Sequence, residues 1–367
     1  MTPDRRGARQ EAVRAALAGT AAPELDALLV THLPNIRYLT GFTGTAALLL
    51  LARDRAALVS DFRYESQATQ EVGNSASVEI DRHSVWDRLA RLLDASAITT
   101  LGVEATALTL RDAERLGAMP RLRVGSTSGI VERLRVIKAP EEVAAIRAAA
   151  ELAQEALAEV LPGISVGDSE LEIAARLEAA LRRRGSEWHP FQTIVASGPR
   201  SALPHARTST RAVAPGEWLL LDFGAQVDGY CADLTRTVIV GARADARQRA
   251  VYDTVRAAQS RALAGVEAGM SGRDADALAR DLIAARGFGD AFGHSLGHGL
   301  GLEVHEAPRL SATAPDPLPA HAVVTIEPGI YLPGWGGVRL EDDLYLGPDG
   351  AVCLSDNRTD LIELMRE

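Results

Sequence analysis

The stretch Trp218-Leu219-Leu220-Leu221-Asp222-Phe223-Gly224-Ala225-Gln226-Val227-Asp228-Gly229-Tyr230-Cys231-Ala232-Asp233-Leu234-Thr235-Arg236-Thr237-Val238-Ile239-Val240 reads as two strands folded on each other. Trp218–Asp222 is an apolar run that ends in a carboxylate, and Ala232–Val240 is its partner. Asp228-Gly229 between them is a strong hairpin turn signal. A hairpin symmetric about Val227 and Asp228 sets Asp222 opposite Asp233. Directly paired residues hold their Cβ atoms about 5 Å apart. Two unshielded carboxylates there repel, and a bound cation resolves the conflict.

The pattern returns downstream. Val323-Val324-Thr325-Ile326-Glu327-Pro328-Gly329 is apolar up to a carboxylate, and Gly336-Gly337-Val338-Arg339-Leu340-Glu341-Asp342 comes back after Pro333-Gly334. The midpoint between Glu327 and Glu341 is Gly334, so a second acid pair faces itself across a second hairpin. Between the hairpins lies Gly293-His294-Ser295-Leu296-Gly297-His298-Gly299-Leu300-Gly301, followed by His305 and Glu306. Glycine lets a backbone approach a ligand closely, and neutral imidazole is a common metal ligand and proton carrier. Four acids and one histidine suit two divalent ions about 3.5–4 Å apart. Mn²⁺, Co²⁺ and Zn²⁺ all fit such a set.

Helices precede each hairpin. Val143, Ile146, Ala150, Ala153, Leu157 and Val160 trace one helical face, after Pro140 at a position suited to a first helical turn. Leu157-Ala158, Gly163, Ser165 and Asp168 recur as Leu263-Ala264, Gly269, Ser271 and Asp274, each 106 positions on. The second helices end at Arg184-Gly185 and Arg286-Gly287. Strands are expected at Phe191–Ser197 after the first helix pair, and at Leu302–His305, Val323–Glu327 and Val338–Tyr345 after the second. A duplicated helix–helix–sheet unit predicts a pseudo-two-fold α+β domain, with a site where the halves meet.

Upstream, a helix over 8–18, strands Leu25–Val30, Ala46–Leu51, Ala56–Ser60 and Thr100–Val103, and helices up to Val72, over Trp86–Leu93 and over Leu110–Leu116 indicate a separate α/β domain. Asn35–Gly44 reads as a turn-rich connection. The division is expected at 1–133 and 134–367. The 367 residues suit about two domains. The net charge of −10 opposes a nucleic-acid surface. The charged Met1–Arg14 stretch is no signal peptide, and no apolar run spans a bilayer. Cys231 and Cys353 make no disulfide framework, so reduced thiols and a cytoplasmic location are expected. There is no Gly-x-Ser-x-Gly elbow for serine hydrolysis and no early dinucleotide glycine motif.

With these segments in view, the chain resembles the pita-bread metallopeptidases, which include methionine aminopeptidase, aminopeptidase P and prolidase. Asn35–Gly44 and Asp61-Phe62-Arg63-Tyr64 resemble the creatinase-like N-terminal domain of the Xaa-Pro peptidases. The resemblance implies that Asp222, Asp233 and Glu341 hold one metal and that Asp233, His298, Glu327 and Glu341 hold the other. It implies a proton-shuttle role for Glu327 and substrate-side roles for His205, His294 and His305. Arg339 is expected to orient Glu341 and to stand at the substrate site. Arg309 matches a position where some prolidases carry an Arg that grips the dipeptide carboxylate. The resemblance thus implies a Mn²⁺-, Co²⁺- or Zn²⁺-dependent homodimer acting on small peptides with proline second, narrowly as aminopeptidase P rather than prolidase. A metal-free creatinase-type hydrolase and a non-catalytic binding module are the remoter readings.

Overall fold

The computed structural model describes residues 3–18, 25–355 and 359–365; Met1 and Thr2 of the charged N-terminal stretch lie outside them. The chain divides into two compact units, Met1–Arg135 and Val136–Glu367.

The first unit is built on six strands: β1 (Ala27–Val30), β2 (Ala47–Ala52), β3 (Ala56–Asp61), β4 (Ser77–Asp81), β5 (Thr100–Glu104) and β6 (Arg123–Thr127). They lie in the order β4-β3-β2-β1-β5-β6. The apolar runs of β1 and β2 are buried along their whole length, as expected of strands covered on both faces. The segment from Asn35 corrects the sequence reading. Leu33–Thr40 is a helix, with Pro34 in its first turn and Gly41 as a left-handed cap at φ 79°. Pro and Gly punctuate that helix at its start and its end, and neither marks a loop.

The second unit carries helices Pro140–Val160, Glu170–Arg183, Ala246–Gly265 and Gly272–Ala285. Its strands are β7 (Ile194–Ser197), β8 (Glu217–Phe223), β9 (Gln226–Val227), β10 (Tyr230–Cys231), β11 (Leu234–Val240), β12 (Gly297–Gly299), β13 (Glu306–Leu310), β14 (Val323–Ile326), β15 (Gly329–Leu332), β16 (Gly336–Arg339), β17 (Asp342–Gly347), β18 (Gly350–Cys353) and β19 (Glu363–Leu364). One sheet runs β19-β11-β8-β7, the other β13-β12-β14-β17-β18, and β9-β10 and β15-β16 form short ribbons. Each half has its own core. Leu219, Leu221 and Phe223 pack with Ala153, Leu157 and Leu177 of the first helix pair. Val324, Ile326 and Leu344 pack with Val255, Ala262 and Ala279 of the second. Strand alternation therefore sends Asp222, Thr325, Glu341 and Asp343 to the opposite faces.

The duplication is real, but its spacing differs from the sequence expectation. Gly167 and Gly269 adopt matching left-handed conformations, φ 91° and 89°. Ser169 and Ser271 cap the second helices, each accepting from the backbone three residues on. Both pairs stand 102 positions apart, as do Gly185 and Gly287. The recurrence at 106 matched similar letters one helical turn out of place. The expected strand Leu302–His305 is also absent; those residues are bends and the strand begins at Glu306. Val338–Tyr345 is broken at Leu340 and Glu341.

Candidate functional site

Turn chemistry sets the first hairpin. Asp228 and Gly229 both have positive φ, 50° and 77°, the backbone of a two-residue type I′ turn. The hairpin is therefore centred one residue later than expected. Asp222 pairs with Thr235 rather than Asp233, and the β9–β10 ribbon continues the same register. Asp233 lies in the lapse between the two ladders, on the face of β11 that carries Thr235. The second hairpin has the expected register. Ile326 pairs with Asp342 and Gly329 with Arg339, so Glu327 and Glu341 face each other across the break. Thr235 bridges to Glu341 and joins the halves at this point.

The Gly-His-Gly motif has a steric cause. A Cβ on Gly297 would stand 1.9 Å from the Thr325 carbonyl oxygen, and one on Gly299 would stand 2.0 Å from that of Ala307. Both glycines admit neighbouring backbone rather than a ligand. His298 between them is thereby wedged into the sheet.

Asp233, His298 and Glu341 each offer a ligand atom, all within 4.8 Å of one another. Glu327 Oε1 lies 3.4 Å and Asp233 Oδ2 3.8 Å from His298 Nε2. The Gly299 carbonyl, 3.1 Å from His298 Nδ1, can only accept, so Nδ1 carries the proton and Nε2 presents a lone pair. Burial, with His305 beside it, brings His298 down to about 4 and keeps it neutral. The contacts of Nε2 with carboxylates are thus not ion pairs. They are acceptors facing acceptors.

Asp222 Oδ1 and Asp233 Oδ1 are buried without a hydrogen-bond partner. Burial, reinforced by Glu341, raises Asp233 and Glu327 well above the ordinary carboxylate range. Burial and Asp222 push Glu341 up to about 8. Burial also raises Asp222, against the pull of Arg339. A group of oxygens and one imidazole nitrogen with orphaned, buried lone pairs is the donor set a divalent cation satisfies.

Arg339 corrects the sequence reading. It is buried, and its guanidinium is spent inside the protein. It donates to Asp222, to Thr235 Oγ1 at 3.0 Å, to the Tyr331 hydroxyl at 2.8 Å and to the Pro204 carbonyl at 3.3 Å. It orients Asp222 directly and reaches Glu341 only through Thr235, whose hydroxyl lies 2.6 Å from Glu341 Oε2. Four of its five N–H donors are taken by protein groups, which makes it a support of the acids.

His294 is similarly engaged. Its Nδ1 donates to the Ser295 carbonyl at 2.8 Å, and its Nε2 accepts from Tyr331 at 2.8 Å. Burial and Arg339 bring it down to about 4. By contrast, His205 and His305 are exposed, and neither has a hydrogen-bond partner among the described residues. His305 stacks edge-on against His298 at 4.3 Å. The charge of His205 acts on Asp222, His294 and His305. Arg309 pairs with His298 across β12 and β13, so its side chain leaves the same face. It is exposed, makes no ion pair among the described residues, and its charge acts on both His298 and His305.

Four contributors escaped the sequence reading, Thr235 among them. Tyr331 links Arg339 to His294. Thr325 supports the His298 amide at 3.1 Å and Glu327 at 3.3 Å. Asp343, buried and raised well above its ordinary value first by burial and then by Glu341, accepts from the Asp233 amide at 3.3 Å. The signal for Thr235 and Thr325 was their place on the same strand face as the acids. Tyr331 carried none. Cys231 is buried, and burial pushes its thiol up to about 12, which fits a packing residue rather than a nucleophile.

Residues 144–348 match the model of metallopeptidase family M24, and residues 9–137 match the creatinase/prolidase N-terminal domain. The Xaa-Pro dipeptidase of Pyrococcus furiosus is 35% identical, the match covering 92% of this chain and 95% of that protein. The solved Xaa-Pro dipeptidase from Bacillus anthracis superposes with a TM-score of 0.93 at 38% identity, covering 98% of this chain and 100% of that one. The X-Pro aminopeptidase from Thermotoga maritima superposes at 0.86 with 37% identity, covering 92% of this chain and 97% of that one.

Proposed function

The chain belongs to metallopeptidase family M24, and we propose that it is an Xaa-Pro dipeptidase using two divalent ions, with Mn²⁺ the first to test. Family membership implies divalent metal, and the acceptor-only cradle fits it. Asp222, Asp233 and Glu341 would hold one ion, and Asp233, His298, Glu327 and Glu341 the other, with Asp233 and Glu341 shared. Such ions lower the pKa of water and polarise a carbonyl. Glu327, beside the shared acids, takes the proton of the attacking water and passes it to the departing proline nitrogen. Arg339 and Thr235 hold Asp222 and Glu341 in place. His205 and His305, with free ring nitrogens, bind the substrate, while His294 braces Tyr331 and lines the proline pocket.

The sequence motifs narrowly favoured aminopeptidase P. The observation that carries the dipeptidase reading instead is Arg309. It is an unpaired cation opposite His298, where a dipeptide's free carboxylate would lie, and Arg suits carboxylate recognition. The dipeptidase relatives support the same choice. The test compares Ala-Pro with Ala-Pro-Ala on the wild type and on Arg309→Ala. A lost charge-assisted hydrogen bond amounts to about 1.5–3 kcal/mol, or roughly 10- to 150-fold. The dipeptide's kcat/KM is expected to fall by that factor in the variant while the tripeptide's holds. A wild type that strongly prefers Ala-Pro-Ala, with both substrates equally insensitive to Arg309, returns the reading to aminopeptidase P.

A further inference from the structure

Two buried acids outside the cradle stand on equivalent helices, one in each half. Glu170 opens the helix Glu170–Arg183 and is fully buried. Its Oε1 accepts from the Ser197 amide at 2.8 Å and hydroxyl at 2.9 Å. Its Oε2 accepts from the Ser209 amide at 3.0 Å and hydroxyl at 2.6 Å. Arg200 Nε lies 3.1 Å from both oxygens. Ser197 and Ser209 are the two ends of the loop that carries His205, so one carboxylate closes that loop.

In the other half, Asp276 of the helix Gly272–Ala285 is also buried, at 1% exposure. It accepts from the Leu296 amide at 3.0 Å and pairs with Arg280. Arg280 passes the grip on, donating to the carbonyls of Phe292 at 2.8 Å and His294 at 2.7 Å. Its guanidinium also lies over the Phe292 ring at 4.3 Å. The loop held this way carries His294. With helix positions matched 102 apart, Asp276 sits four residues beyond the counterpart of Glu170, one turn along the same helix face.

We propose that Glu170 and Asp276 are positioning residues, each latching one histidine-bearing loop, His205 in the first half and His294 in the second. A carboxylate receiving several backbone and side-chain donors is a strong, directional anchor. Both acids are spent wholly on loop donors and their arginines. Neither contributes to the acceptor cradle. The inference rests on the roles proposed above for His205 and His294.

Crossed double-mutant cycles test it. Glu170→Gln is expected to lower kcat/KM for Ala-Pro about 10-fold, the loss of a hydrogen bond to a charged group. That loss should vanish in a His205→Ala background and persist in His294→Ala. Asp276→Asn should show the reverse dependence. Losses that multiply with both histidine variants would make the acids general supports of the fold and overturn the proposal. Amide hydrogen exchange gives a readout independent of turnover. In Glu170→Gln, Ser197 and Ser209 should exchange faster while Leu296 is unchanged; in Asp276→Asn, Leu296 alone should speed up. Acceleration spread evenly over both loops contradicts the latches. If the wild type fails to cleave Ala-Pro, the functional reading falls while the exchange experiment still judges the latches. Ser209→Ala and Arg280→Lys leave the buried acids intact and serve the same two measurements if the acid variants do not fold.

Discussion

The two hairpins carry their acids in different ways. In the first, Asp222 sits inside an unbroken ladder opposite Thr235, its carboxylate pinned by Arg339, and only Asp233 lies in the lapse. In the second, Glu327 and Glu341 both stand in the lapse, and the gap beside Glu341 is filled by Thr235 of the first hairpin. Support thus runs both ways: Arg339 of the second hairpin pins Asp222 of the first, and Thr235 of the first bonds Glu341 of the second. This makes the junction at Thr235, Glu341 and Arg339 the point at which the two halves become one site.

Glu341→Ala breaks that junction most severely. It removes the proposed shared ligand and the acceptor for Thr235. Metal content is expected to fall and activity to disappear into the background, by elemental analysis and Ala-Pro turnover; a variant with two bound ions and near-normal rate would refute the shared role. Glu327→Gln tests the same lapse more gently. It keeps the shape and one oxygen but loses the proposed base, so the rate should drop at least about 10²-fold with metal still bound. An unchanged rate at full occupancy would remove Glu327 from proton transfer.

Arg339→Lys probes the pinned acid of the first half. A lysine keeps the charge near Asp222 but cannot also reach Thr235 and Tyr331 as a planar fork does. Metal affinity or activity should fall about 10–100-fold, the usual cost of losing a group that orients a ligand. An equal loss in Glu341→Gln and in the Glu341→Gln/Arg339→Lys double variant would place Arg339 in the same unit as Glu341; independent losses would separate the halves.

The smallest effect is on stability against pH. Burial and Asp222 raise Glu341 to about 8 from its ordinary 4.5, and burial raises Asp222 as well. The folded chain then binds these protons more tightly than the unfolded one. Stability of chelated protein should fall as pH rises through the window from about 4.5 to about 8. Melting curves should show that decline, and saturating Mn²⁺ should abolish it. A chelated protein that gains stability with pH across the window contradicts the crowding of these acids.

Much of this was legible in residue order because it depends on local rules. Asp222 and Glu327 stand out as carboxylates that end apolar runs, and the midpoint at Gly334 predicted the register of the second hairpin. The first register slipped because Asp228 and Gly229 both take positive φ, which makes them the turn itself and moves its centre. What stayed hidden depended on distance in sequence. Tyr331 matters because Arg339 and His294 meet it, Glu170 because two ends of a loop reach it, and neither fact has a local signature. Likewise His298 could be found, but the reason for its flanking glycines lies in strands 27 and 9 residues away, at Thr325 and Ala307.

If the acids and His298 form a divalent-metal centre that cleaves an Xaa-Pro bond, activity must follow bound metal. The most direct measurement is turnover of Ala-Pro by protein stripped with chelator and then titrated with Mn²⁺, with bound metal counted in parallel. Turnover is expected to vanish after stripping and to recover with saturation at two ions per chain. Undiminished turnover by protein shown to be free of metal would contradict that expectation.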